Sequence, residues 1–280
     1  MFFPDVPVGR QNILNPLNLI DGARRGHVRM LKEALKVIED SGFAGLLERY
    51  PCSRVGNPNI FHYRDYRFTL EWLRHVYFLG LFKKYIAPEV GEDFTALDLG
   101  GFYGVFSGLI KSEFTRSHCV LVDLPQQLSL AHYYLGLNFP KASIGTYKDI
   151  VKSDTVSRAF IERYDFVLVP CYFYDKIAKG SADVFTNFMS LQEMGREYFS
   201  HYLANEPFLS SRFLLTVNRY QSAPTYNNGV TILDYPLSSF KKIHFATAPI
   251  VGERYRRKWL FFYTYFPYTS QHFEFIGKRW

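Results

Sequence analysis

Five residues within one short stretch have the types and spacing to do chemistry. The string ALDLGGFYGVFSGLI, residues 96–110, carries Asp98, then Gly100, Gly101 and Gly104, and a later apolar run ends in Asp123. Glycines let a backbone turn tightly and approach a ligand closely. A helix starting behind them offers N–H groups that lack an intrahelical acceptor. A dinucleotide fingerprint needs Gly-x-Gly-x-x-Gly directly after its strand. Here Leu99 stands where the first of those glycines would be, and Asp98 sits just before the turn. A carboxylate there repels a pyrophosphate, but it accepts a hydrogen bond from an ammonium-bearing ligand such as the methionine part of S-adenosylmethionine. No Gly-Lys-Ser/Thr follows, which excludes a P-loop. A carboxylate at the tip of a second strand, as at Asp123, can take both hydroxyls of a ribose. The competing reading is a generic strand–turn–helix with an N-capping Asp.

The elements that must position these groups follow from periodicity. Segments 94–99, 118–123, 164–170 and 213–217 are short apolar runs expected as strands, with helical patterns between them and a long helical region expected over 185–203. Strands alternating with helices predict an α/β fold with a mostly parallel sheet. The tail runs 242–246, 259–266 and 272–278 are strand-like with no long helix between the last two, which predicts a terminal antiparallel hairpin. Upstream, Val28, Leu31, Leu35 and Ile38 recur at helical spacing before Ser41-Gly42, and 68–85 reads as a longer helix stopped by Pro88. The chain therefore divides into an N-terminal helical arm and cap over 1–90, its first 20 residues Pro/Asn-rich, and an α/β domain over 91–280.

The ALDLGGFYG turn resembles motif I of class I methyltransferases. LVDLPQQLSLAHYYL at 121–135, DVFTNFMSLQEM at 183–194, VNRY at 217–220 and ILDYPL at 232–237 are similar, in this order, to segments of the sugar O-methyltransferases of bacterial surface-polysaccharide and antibiotic gene clusters. The resemblance covers roughly residues 60–280. It implies a Rossmann-like seven-stranded, mostly parallel sheet. It also implies S-adenosyl-L-methionine held by Asp98, Gly100, Gly101, Gly104, Asp123 and Leu124, and a methyl group passed to a hydroxyl of a sugar or glycosylated small molecule. Phe102 departs from the pattern, since many relatives carry a third consecutive glycine there.

Methyl transfer to a hydroxyl needs alignment and removal of a proton. Candidates belong at the carboxyl ends of strands, where open α/β sheets bind ligands. Asp175, after the third strand, could be a base, a metal ligand with Asp183, or a helix cap. Gln192 and Glu193 lie in the motif at 183–194, where Glu193 could instead pair with Arg196. His201 and His244 are further bases, neither with a carboxylate partner recognisable in sequence. Asn218 and Arg219 follow the fourth strand and, with Tyr235 and Asp234, are candidate substrate contacts. No His-Glu-x-x-His or comparable metal motif is present. In the cap, His62, Tyr63, Arg64, Tyr66 and Arg67 crowd aromatic and basic groups together as a carbohydrate or anion site would, or as a solvated loop before a helix would.

Composition bounds the alternatives. The 280 residues are 48% hydrophobic and 21% charged, which is globular, and the 18% aromatic share fits a Phe/Tyr-rich core or an aromatic-lined pocket. The net charge of +7 raises a nucleic-acid or protein acceptor, but the basic residues are scattered, with Arg254, Arg256, Arg257 and Lys258 the densest group. No Asn/Asp-Pro-Pro-Tyr/Phe motif follows the third strand, so nucleic acid is not expected as a partner. A catalytically silent binding protein on the same fold is the remaining alternative. Cys52, Cys119 and Cys171 lack metal spacing. No signal peptide or apolar stretch long enough for a membrane span is evident, so a cytoplasmic location without membrane contact is expected. A homo-oligomer is left open.

Overall fold

The computed structural model describes residues 22–252, 256–259, 262–265 and 270–280. The expected arm over 1–20, and the side chains of the basic group at 254–258, lie outside the described residues. The chain forms two compact units, Met1–Gly80 with Ala248–Gln271, and Leu81–Thr247 with His272–Trp280.

In the first unit, helix α1 (Gly22–Asp40) buries Leu31, Ala34, Leu35 and Ile38, and Gly42 takes a left-handed turn just past its end, as the helical spacing predicts. Helix α2 (Ala44–Arg49) and the hairpin β1 (Phe61–Tyr63)–β2 (Tyr66–Phe68) follow. Helix α3 (Leu70–Tyr85) starts at Thr69, whose hydroxyl accepts from the Trp72 N–H at 3.0 Å. Gly80 on α3 is required by packing, because a β-carbon there would stand 2.3 Å from the Phe43 ring. A separate hairpin pairs β10 (Arg256–Trp259) with β11 (Phe262–Tyr265).

After the short helix α4 (Ala87–Val90), the second unit is built on a sheet of β3 (Thr95–Leu99), β4 (His118–Asp123), β5 (Ile144–Gly145), β6 (Phe166–Pro170), β7 (Val184–Phe188), β8 (Phe213–Arg219), β9 (Phe240–Thr247) and β12 (His272–Arg279). Its order is β5-β6-β4-β3-β7-β8-β12-β9, parallel except that β12 runs antiparallel to both β8 and β9. The fold is α/β and Rossmann-like, with eight strands where seven were expected. Two of its strands, β5 and β7, lie outside the runs expected as strands; Asp165 fastens β5 to the start of β6 by accepting from the Ser143 N–H at 2.8 Å and hydroxyl at 3.0 Å. Between strands come α5 (Val105–Glu113), α6 (Pro125–Asn138), α7 (Tyr147–Val151), α8 (Arg158–Ile161), α9 (Arg196–Ala204) and α10 (Glu206–Leu209).

The helix expected over 185–203 is corrected by the structure. Residues 184–188, VFTNF, form the buried strand β7 at the centre of the sheet, and helix begins only at Arg196. A short strand buried on both faces has no alternation to read. Its two polar residues are tolerated inside because each hydrogen bonds the neighbouring strand, as described below.

Proceeding from β3, the chain moves through β4 to the β6 side, then crosses to β7 on the other side of β3. The carboxyl ends of β3 and β7 thus flank a topological switch point, the place where open α/β sheets leave a crevice for ligands.

Candidate active site

The turn after β3 ends at that crevice. Gly100 (φ +72°) and Gly104 (φ +86°) take the left-handed backbone, and so does Phe102 (φ +51°) without being glycine. A β-carbon on Gly100 would sit 2.1 Å from Ser190 Oγ, and one on Gly101 would sit 2.8 Å from Asp98 Oδ2. Glycine is thus required at 100 by conformation and by contact, and at 101 by contact with the acid beneath it. Helix α5 starts behind the turn with Gly104 as its N-cap and no side-chain cap, which keeps its first N–H groups available to a ligand.

Asp98 is 3% exposed, lying under the turn, and its Oδ1 accepts from Thr186 Oγ1 at 2.8 Å. Burial pushes its carboxyl up to about 7, against the Thr186 hydrogen bond and with a smaller push from Asp123. Asp123, at the tip of β4, accepts from the Phe102 N–H at 2.8 Å through Oδ2 and from the Leu124 N–H at 2.7 Å through Oδ1. Its carboxyl is also raised by burial, and these two N–H groups oppose the rise. One acid therefore lies beneath the glycine turn while the other ties that turn to the start of α6. Each Asp123 oxygen keeps a lone pair for a further donor. Leu124 is half-exposed beside it and leads into Pro125 at the first helical position.

The loop after β7 is fastened to this turn by a buried polar network. Asn187 Nδ2 donates to the Leu99 carbonyl at 2.7 Å and to Ser190 Oγ at 2.6 Å, and Ser190 Oγ donates to the same carbonyl at 3.1 Å. Asn218 Nδ2 donates to Asn187 Oδ1 at 2.8 Å and to Thr216 Oγ1 at 2.7 Å, and its Oδ1 accepts from the Gln192 N–H at 3.4 Å. The Gln192 side-chain carbonyl accepts from the Arg219 N–H, and its main-chain carbonyl accepts from Ser222 and Asn228. Gln192 and Asn218, expected as catalytic and substrate contacts, are both buried and committed to holding the β7 and β8 loops.

What the loops present is a different set. Glu193 is exposed and accepts a hydrogen bond from the Tyr226 hydroxyl, with Arg219 close enough to act on the same phenol. Burial and Glu193 together raise the Tyr226 phenol to about 12, against Arg219. Sequence reasoning picked out Asn187 within the motif at 183–194 but missed Tyr226, Ser190 and Thr186. No spacing pattern marks them, because their roles come from strand neighbours rather than chain neighbours.

The remaining candidates fall in three places. Asp175, in the turn after β6, lies 3.1 Å from His201 Nε2 on α9, both exposed, and Asn205 Nδ2 sits 3.3 Å from His201 Nδ1. His244 Nε2 lies 2.8 Å from Glu274 Oε1 on the neighbouring strand. Each histidine therefore has the carboxylate partner that sequence could not name. Tyr235 is buried between Phe199 and Phe273, and its hydroxyl has no hydrogen-bond partner among the described residues. Asp234 pairs with Arg196, which separates Arg196 from the Glu193 partnership considered above. Asp183 stands at the amino end of β7, where it pairs with Arg158 at 2.8 Å and accepts from the Thr95 N–H, while Asp175 stands beyond the carboxyl end of parallel β6. The two acids sit at opposite ends of the parallel strands, too far apart to share a metal. Among the described residues no cluster of His, Cys, Asp and Glu suits a metal ion, and no helix is long and apolar enough to cross a membrane.

No family model matches the chain, and no curated protein matches it. Among solved structures, it is similar to the methyltransferase domain of bacterial CtHen1 (11% identity, TM-score 0.46), over 75% of this chain and all of that one. It is also similar to the mitomycin 7-O-methyltransferase MmcR (14%, TM-score 0.40, 74% of this chain and 57% of that one) and to PigF with SAH (12%, TM-score 0.42, 75% and 65%). The chain spans little more than half the length of MmcR. At such scores the likeness assigns no activity or partner.

Proposed function

We propose that this protein is an S-adenosylmethionine-dependent O-methyltransferase acting on a hydroxyl of a sugar or glycosylated small molecule. The observation that carries the reading is the pair of acids around the glycine turn at the switch point. Asp98 lies beneath Gly101, and Asp123 holds the Phe102 N–H at 2.8 Å. This arrangement suits the donor in charge and shape. Asp123 retains lone pairs for ribose hydroxyls, the turn brings bare backbone to the crevice, and no basic side chain of the turn asks for a pyrophosphate. When bound, S-adenosylmethionine supplies a methyl group on a sulfonium centre.

The protein's own part is to position the acceptor and take its proton. Glu193 serves as base in this reading. It is exposed, and its loop is tied through Ser190 and Asn187 to the Leu99 carbonyl at the turn. Tyr226 orients its carboxylate, and Arg219 provides a cation for an acidic or polar acceptor. Gln192 and Asn218 are positioning residues that set the height of this loop.

Calorimetric titration with S-adenosylhomocysteine tests the donor half. The wild type is expected to bind, and Asp123→Ala to weaken binding about 100-fold through the loss of two charge-assisted hydrogen bonds. Absence of binding by the wild type sinks the reading. Labelled methyl transfer to glycosides and nucleotide sugars, with RNA and protein as controls, tests the acceptor. Incorporation into RNA or protein alone would replace the sugar by those acceptors.

Glu193→Gln is expected to lower kcat by about 10²–10⁴ while S-adenosylhomocysteine affinity stays unchanged. A full-rate Glu193→Gln enzyme beside an inactive His201→Asn enzyme would move the base to the Asp175–His201 pair.

A further inference from the structure

In the first unit, helix α2 and the β1–β2 hairpin line a cavity of about 420 Å³, within the roughly 300–1,000 Å³ typical of small-molecule sites. Leu47, Glu48 and Pro51 contribute from the α2 region, and Arg64, Asp65, Tyr66 and Arg67 from the hairpin. The methyl-transfer reading uses none of these residues.

The charges here are of two kinds. Arg64 is spent, since its Nη1 lies 2.8 Å from Glu39 and its guanidinium packs 5.3 Å from the Tyr63 ring centre. Its backbone sits at φ +52° in the hairpin turn, a conformation that favours glycine or asparagine. The side chains of Glu48, Asp65 and Arg67 enter no ion pair or hydrogen bond among the described residues. One guanidinium and two carboxylates thus face the same space uncommitted. The lining carries two charges of each sign, Arg64 and Arg67 against Glu48 and Asp65, so it holds no excess of cations to select an anion. A ligand that satisfies this lining donates to carboxylates and accepts from a guanidinium. Hydroxyl groups do both at once, and Leu47 and Pro51 offer an apolar surface to C–H groups.

We propose that this cavity binds a neutral hexose ring, with Arg67 donating to its oxygens, Glu48 and Asp65 accepting from its hydroxyls, and Leu47 with Pro51 against its C–H face. The site belongs to the first unit and needs no methyl donor. It stands or falls apart from the methyl-transfer reading.

The test uses the full chain without methyl donor. D-glucose, D-galactose and D-mannose are titrated and followed by saturation-transfer NMR, with D-glucuronate and inorganic phosphate as anionic probes. At least one neutral hexose is expected to bind saturably. Arg67→Ala and Glu48→Gln are each expected to weaken that binding about tenfold or more. Both side chains are exposed, so thermal melts of the variants should match the wild type. The proposal is overturned if no neutral hexose binds, if binding survives both substitutions, or if only the anionic probes bind.

Discussion

Replacing Gly100 with alanine is expected to abolish S-adenosylhomocysteine binding and to lower the melting temperature by roughly 6–10 °C, corresponding to about 3 kcal/mol. Two effects add. The left-handed backbone at φ +72° costs a side-chain-bearing residue about 1–2 kcal/mol. The new β-carbon would stand 2.1 Å from Ser190 Oγ and 2.5 Å from Ser190 Cβ, which cannot both retreat. Ser190 and Asn187 are anchored to the Leu99 carbonyl, so displacing Ser190 also lifts the β7 loop and Glu193 with it. Gly136 on α6 is the control, because a β-carbon there would meet nothing within 4 Å. Gly136→Ala should leave binding intact and stabilise the helix by up to about 1 kcal/mol. Identical behaviour of the two variants in calorimetry would remove the tight turn from the explanation.

The second large effect is electrostatic. In the folded protein Asp98 titrates at about 7 rather than at its ordinary 3.8. Between those values the native state holds a proton that the unfolded chain has released, so stability falls as pH rises from about 4 to 7 and is level above. Asp98→Asn keeps an acceptor for the Thr186 hydroxyl and carries no charge. It should therefore gain up to about 4 kcal/mol over the wild type at pH 8 and nothing at pH 4. Urea unfolding of both proteins at pH 4, 6 and 8 gives the difference directly, because titrating groups that do not interact with Asp98 cancel between them. Parallel stability curves would show that Asp98 holds its charge at no cost.

Much of this site was legible in the chain. Asp98, the glycines and Asp123 could be read as an acid–turn–acid unit because strand, turn, helix and strand are local and each has its own signal. The helix at 22–40 was plain from its apolar stripe and its stop; the one at 70–85 is buried nearly all round, and Pro88 lies at the start of the short helix that follows it. What escaped reading depends on contacts across the sheet. VFTNF looks like the start of a helix until β3 is placed beside it. Then Thr186 and Asn187 become the residues that hydrogen bond Asp98 and the Leu99 carbonyl. Gln192 looked like a site residue because it lies in the motif at 183–194, and Asn218 because it follows the fourth strand, yet both are buried and tie loops together. His201 and His244 find Asp175 and Glu274 only through folding, across separations that no short motif spans. Strand β5 was invisible for a simpler reason: two residues are too few to show a period.

The position of β12 has a consequence for synthesis. It fills an interior slot between β8 and β9, pairing with β8 from His272↔Arg219 to Lys278↔Phe213, yet it follows both strands in the chain. A nascent chain leaving the ribosome therefore carries β8 and β9 with facing rows of unpaired N–H and C=O groups, which are templates for wrong partners. That exposure lasts throughout translation of residues 248–271. The sheet can close only when its last piece arrives, so a chain interrupted before His272 is left open at its middle rather than merely shortened at one edge. Chaperones and proteases that recognise exposed strand edges would separate interrupted chains from finished ones at that step.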